Sequence, residues 1–131
     1  MTRLTTPGAG RAYPGSMTAM AAPSAAEQCA DECARCFELC TETVTRCLEL
    51  GGRHAEALHV TLLLDCAEAC RTAEGFLRRG SDRHPLLCRA CAGICRSCAA
   101  DCERMADGDL LMHACAVQCR RCASACEAMA A

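Results

Sequence analysis

The sequence predicts an all-α protein, an antiparallel up-down-up-down four-helix bundle with a cysteine-lined core. Three observations predict it. Helix stop and start signals after Pro23 divide the chain into four stretches of similar length. Sixteen of the 131 residues are cysteine, recurring at alternating three- and four-residue steps, which is the seam that faces a bundle interior. The connections between stretches are short, and short connections make antiparallel neighbours. The usual builders of buried area are scarce, with one Tyr, two Phe and no Trp, so another residue type has to fill the centre.

Residues 1–23 predict a flexible leader. Pro7, Pro14 and Pro23 alternate there with Gly8, Gly10 and Gly15, and Met17 or Met20 would serve equally as a start. This stretch has no apolar run behind a basic start, and Arg3 and Arg11 are not a twin-arginine pair. The expectation is a cytoplasmic chain whose folded domain is 24–131.

The first helix opens at Ser24-Ala25-Ala26-Glu27, a capping-box pattern, and stops at Gly51-Gly52. The second is expected from about Arg53 to Arg79, ending at Gly80. Ser81 and Asp82 are the candidate caps of the third, with Pro85 in its first turn, and Asp107-Gly108-Asp109 ends it. Asp109 is then placed to cap a fourth helix that runs to the C-terminus. Each spans roughly 22–27 residues, about 33–40 Å at 1.5 Å per residue.

The first helix carries Cys29, Cys33, Cys36, Cys40 and Cys47, and the second carries Cys66 and Cys70. The third carries Cys88, Cys91, Cys95, Cys98 and Cys102, and the fourth Cys115, Cys119, Cys122 and Cys126. At about 100° per residue each set falls within an arc of roughly 80°. A single buried cysteine is simply a small hydrophobe. Sixteen on the inward faces are a ligand set.

Composition narrows the chemistry. A formal net charge of −2, from 14 basic and 16 acidic residues, leaves no footprint for nucleic acid or an anionic membrane. Without a run of about 18 apolar residues a membrane span is excluded. Cysteine this dense would mark a disulfide scaffold in a secreted chain, but in a reducing cytosol it points to metal. Cysteines at i and i+4 have Cβ atoms about 5–6 Å apart, and a disulfide needs about 3.5–4.5 Å. A metal ion between the two sulfurs spans the longer gap. Cu(I) is soft, prefers thiolate and accepts two or three sulfurs. Zinc knuckles fit less well: the Cys-x-x-Cys units 33/36, 88/91, 95/98 and 119/122 are ordinary seam steps without a turn glycine. Iron–sulfur spacing is absent. The alternative reading is a zinc or mixed-metal thiolate buffer resembling a metallothionein. Less favoured is a thiol oxidoreductase, which needs an exposed low-pKa cysteine.

Segments such as CAEACRTAEGFLRRGSDRHPLLCRACAGICRSCAADCERM and CAVQCRRCASACEAM resemble the cytosolic copper storage proteins over about 24–131. The resemblance implies a homotetramer of four-helix bundles, each filled with multiple Cu(I) ions held by the core cysteines. The expected function is a copper store and detoxifier that is not an enzyme, because thiolate charge is neutralised as each Cu(I) binds and the ligands far exceed any catalytic need. A copper chaperone is a candidate donor.

In the antiparallel arrangement Cys47, Cys102 and Cys115 share one end with His54, His59, Met105, Met112 and His113. His59 lies seven residues before Cys66, in seam phase, and is expected to be an inward ligand at the mouth. His113 lies about 150° from its helix's cysteine face, so it joins only if that helix starts irregularly. His54 and His84 are expected to be solvated. Leu58, Leu62, Leu63, Leu64, Leu110 and Leu111 are expected to pack the same end and narrow it, with Phe37 and Phe76 off the cysteine stripes.

Overall fold

A computed structural model describes residues 22–131, and the expected leader lies outside the described residues except for Ala22 and Pro23. Four helices follow in order: α1 (Ala25–Leu50), α2 (Ala57–Arg78), α3 (His84–Met105) and α4 (Leu110–Met129). Each packs on its chain neighbours, and α1 closes the ring on α4. This is the antiparallel four-helix bundle.

The α1 start follows the capping-box pattern in full. Ser24 Oγ accepts from the Glu27 N–H, and the Ser24 N–H donates to Glu27 Oε1. The stop is Gly51 and Gly52, both left-handed at φ 70° and 57°, which glycine adopts without steric cost. At the start of α4, Asp109 Oδ2 accepts from the Met112 N–H at 3.1 Å, and the Arg46 guanidinium pairs with the same carboxylate at 2.9 Å. Removing such a cap costs roughly 1 kcal/mol.

Two expected boundaries shift. The second helix starts at Ala57, because Gly52–Ala55 forms a separate 3-10 turn and Glu56 is extended. That turn is held against α3: Arg53 donates to the Arg104 carbonyl at 3.1 Å, and His54 Nε2 donates to the Met105 carbonyl at 2.9 Å. These are carbonyls that a helix end leaves without an internal partner. His54 is therefore a half-buried clamp and not a solvated residue. The third helix begins at His84 with Arg83 at its cap position, so neither Ser81 nor Asp82 caps it. The Ser81 hydroxyl instead closes a local turn on the Arg83 N–H, while its carbonyl accepts from His84.

All sixteen cysteines are at most 1% exposed. Between them lie Ala30, Ala67, Ala73, Ala92, Ala99, Ala116 and Ala123, with Leu63, Leu77, Met105 and Met112 towards the ends. The leucine expectation is corrected in part: Leu63 is buried, but Leu58, Leu64 and Leu110 are 88%, 49% and 83% exposed. Consecutive helical residues point 100° apart, so only the one in seam phase enters. Phe37 and Phe76 are half-buried, each beneath a guanidinium, of Arg71 and Arg79 respectively.

Neutral thiols and alanines pack as small hydrophobes, and the caps act locally. The reduced, metal-free chain is therefore expected to give a fully helical far-ultraviolet circular dichroism spectrum. A coil spectrum that turns helical only on metal addition would overturn this.

Candidate metal centre

The thiol column is built by register. Each helix contributes its cysteines at the same seam phase, so their sulfurs meet along the bundle axis. At one end Cys29 meets Cys126 at 3.7 Å, and Cys88 completes a three-sulfur cluster with them. Next come Cys33, Cys91, Cys122 and Cys126, with Cys33 3.7 Å from both Cys122 and Cys126. Cys70 and Cys95, 3.6 Å apart, join Cys91 and Cys122 in one cluster and Cys36 and Cys66 in another. Cys36, Cys40, Cys66 and Cys119 form the following one, with Cys36 and Cys119 at 3.7 Å. Beyond it Cys40 touches Cys115 at 3.8 Å, and Cys115 interacts with Cys98 and Cys102. The sulfurs stand at van der Waals contact, far beyond the roughly 2.05 Å of a disulfide, and all sixteen are free thiols.

His59 closes the far end. Its ring is 3% exposed, with Nε2 3.2 Å from Cys47 Sγ and Nδ1 2.5 Å from Asp101 Oδ2. The contact to the carboxylate orients the ring so that Nε2 faces the sulfur. Asp101 also pairs with Arg104, which holds its carboxylate in place. Sequence periodicity does not single out Asp101, because it sits one position before the seam residue Cys102 and so lies off the inward face. Its acidic character next to a mouth cysteine is the only signal. His113 is exposed on the outer face of α4. That helix starts regularly at its Asp109 cap, so the irregularity that would bring His113 inward does not occur.

The electrostatics differ between the column and its ends. Burial pushes the Cys47 thiol from 9.0 up to about 11, helped by the charges of Asp109, Cys115 and Asp101. Burial likewise pushes Cys88 up to about 12, with Cys29 adding to it. Within the column the thiols divide into proton donors and acceptors. Cys70 and Cys119 are held up, first by hydrogen bonds to Cys122 and Cys115. Cys66, Cys115 and Cys122 are pushed down, first by Cys119, Cys102 and Cys126. The set is buried and dense in soft donors, and along the middle of the column sulfurs such as Cys66, Cys70, Cys119 and Cys122 each touch three others. It suits cations that share bridging thiolates.

The family profile for copper storage proteins matches residues 22–131. Among solved structures, the Nmul_A1745 protein from Nitrosospira multiformis is 41% identical, with a TM-score of 0.76 over 81% of this chain and 94% of that one. The Cu(I)-bound Bacillus subtilis copper storage protein BsCsp3 is 30% identical, with a TM-score of 0.76 over 82% of this chain and 100% of that one. A cytosolic copper storage protein from Streptomyces lividans, loaded with five coppers, is 28% identical, with a TM-score of 0.70 over 81% of this chain and 92% of that one. Sequence comparison with curated proteins finds no match.

The raised end thiols carry a pH signature. Cys47 and Cys88 keep their protons in the fold to about 11 and 12, whereas the free thiol ionises at 9.0. Their contribution to stability is therefore complete below pH 9 and is lost as pH rises from there through the folded values. The chain has no lysine to titrate in that window, since all its basic residues are arginine. Thermal unfolding of the reduced apoprotein should give a midpoint that falls steadily as pH rises above 9. A midpoint unchanged to pH 11 would refute the neutral-thiol account of these ends.

Proposed function

The chain belongs to the copper storage protein family, and from that premise we propose that it stores and detoxifies copper by holding many Cu(I) ions on its sixteen core cysteines. The carrying observation is the sharing of sulfurs between clusters: Cys36 and Cys66 belong to two of them, as do Cys70, Cys91, Cys95, Cys122 and Cys126. Bridging thiolates hold a lattice of two- and three-coordinate copper. At a metal–sulfur bond of about 2.3 Å, sulfurs arranged trigonally around one ion stand about 4.0 Å apart and collinear ones about 4.6 Å. The neighbouring sulfurs at 3.6–4.0 Å need open by at most about 1 Å to admit the ions.

A zinc buffer is the second reading, favoured by the four-sulfur size of four of the clusters. Charge argues against it. Zinc on four thiolates leaves a net charge of about −2 buried in a dry core, which is costly. One Cu(I) per thiolate replaces each lost proton with a cation and leaves the core neutral. Overlap adds to this, because a thiol committed to one tetrahedral site is lost to the neighbouring one.

Cytoplasmic placement belongs to the same reading. Sixteen free thiols need a reducing compartment, and the Streptomyces lividans relative is described as cytosolic. No helix among the described residues is long and apolar enough to cross a membrane. The function is capacity without a catalytic cycle, and a copper chaperone is the donor. Assembly into a homotetramer would cover part of the outward Leu48, Leu64, Leu86 and Val117, which are 49–61% exposed. His59 is the receiving ligand at the mouth, with Asp101 as the residue that positions it, while His113 is placed to act only from outside.

Anaerobic titration against a competing Cu(I) chelator should show a break at about one ion per cysteine, by the charge balance above. A break near four metals, or a preference for zinc, would favour the buffer.

Loading kinetics test the mouth. His59→Ala is expected to slow stopped-flow uptake severalfold while leaving capacity nearly unchanged. Cys36→Ala, deep in the column, should lower capacity with little effect on the initial rate. Equal initial rates for His59→Ala and wild type would move the admission point to the opposite end, at Cys29, Cys88 and Cys126.

A further inference from the structure

At the end of the bundle away from His59, the first turns of α1 and the last turns of α4 leave a cleft of about 180 Å³ between them. Ala25 and Ala125 keep it open because they have so little side chain, Gln28, Glu32 and Arg121 supply its polar groups, and Cys29 lines it. The clefts beside His54, between Leu39 and Val117, and between Leu87 and Ile94 have no cysteine in their walls. Cys29 is 1% exposed, so the cleft ends against this residue without laying its sulfur open. Met129, also in the wall, is the side chain best able to swing aside, being unbranched with three rotatable bonds.

Cys29 also stands at the end of the sulfur ladder. Cys29 and Cys88 belong to their three-sulfur cluster alone, and Cys126 belongs both to it and to the next. An ion held here has neighbours on one side only, and Cys126 links it to the rest of the store. Resting on the copper reading above, we propose that this cleft is a thiol-exchange port, where a small carboxylate-bearing thiol reaches the end cluster and withdraws Cu(I) from Cys29. A soft donor is required to compete with thiolate for Cu(I), and the volume of the cleft limits that donor to a small molecule. Arg121 supplies the partner for its carboxylate. A guanidinium has five N–H donors; Arg121 directs one nitrogen at Glu32, 3.0 Å away, and its side chain is 62% exposed. The step is ligand exchange without oxidation or reduction. The incoming sulfur bonds to copper, the bond from copper to Cys29 breaks, and the proton of the incoming thiol passes to the Cys29 sulfur. Copper leaves as Cu(I) on the small thiolate.

The test is transfer of copper from fully loaded protein to excess bathocuproine disulfonate, followed by absorbance, with 3-mercaptopropionate or 2-mercaptoethanol added as the shuttle. Both thiols should speed release from wild type severalfold, 3-mercaptopropionate the more. Ala125→Phe fills the cleft and keeps all sixteen thiols. It should lose most of the acceleration by either thiol and retain full capacity. Arg121→Gln should lose the preference for 3-mercaptopropionate over 2-mercaptoethanol. Matching helical spectra of the apo variants confirm that they fold. A second measurement needs no copper: substoichiometric iodoacetate on the reduced apoprotein, mapped by peptide mass spectrometry, should alkylate Cys29 first in wild type but not in Ala125→Phe. Equal thiol acceleration in wild type and Ala125→Phe, or alkylation that starts at another cysteine, would overturn the port and leave the storage reading intact. A preference that survives in Arg121→Gln would overturn the carboxylate assignment. A chain that fails to load beyond a few ions would overturn the storage reading and this inference with it.

Discussion

Sulfur packed against sulfur across four helices is the contact on which the rest of this molecule depends. Thiols from facing helices meet at 3.6–4.0 Å, and that is possible only if no larger side chain shares their layers. The core accordingly alternates cysteine with alanine, and its bulkier members, Leu63, Leu77, Met105 and Met112, lie towards the ends. Aromatic rings have no place inside, and the two phenylalanines sit at the rim under arginines. A purely structural bundle would gain more from leucine, which buries more apolar area per residue. The thiol column gives up that stabilisation for ligand density.

The outer surface compensates through local and cross-helix polar contacts. Arg120 makes a two-pronged pair with Glu103 between α3 and α4, and Gln118, 4% exposed, donates to Glu32 of α1, which Arg121 also engages. Exposed ion pairs contribute about 0–1 kcal/mol each, so they orient the helices more than they stabilise them. Orientation matters here, because sliding one helix by a single residue would turn its whole thiol stripe away from the other three.

The two ends of the column are chemically unlike. At the end of Cys29, Cys88 and Cys126 the sulfurs form a compact three-member cluster with Leu77 beside them, and no imidazole joins it. At the other end an imidazole held by a carboxylate faces one outlying thiol, and the backbone around it is fixed by the His54 clamp and the Asp109 cap. A column with one specialised end has a direction.

The four helices, the Ser24 and Asp109 caps, the glycine stop of α1 and the inward phase of all sixteen cysteines were legible in the amino-acid order, because each depends on local spacing and local hydrogen bonds. His59 was legible for the same reason, as a residue in phase with Cys66. The delayed start of α2 and the clamp role of His54 were not, since both arise from carbonyls of α3 that only folding brings near. Asp101 escaped periodicity because it reaches His59 from off the seam of another helix. Spacing along one helix decides which residues turn inward; only the juxtaposition of four helices decides which inward atoms meet.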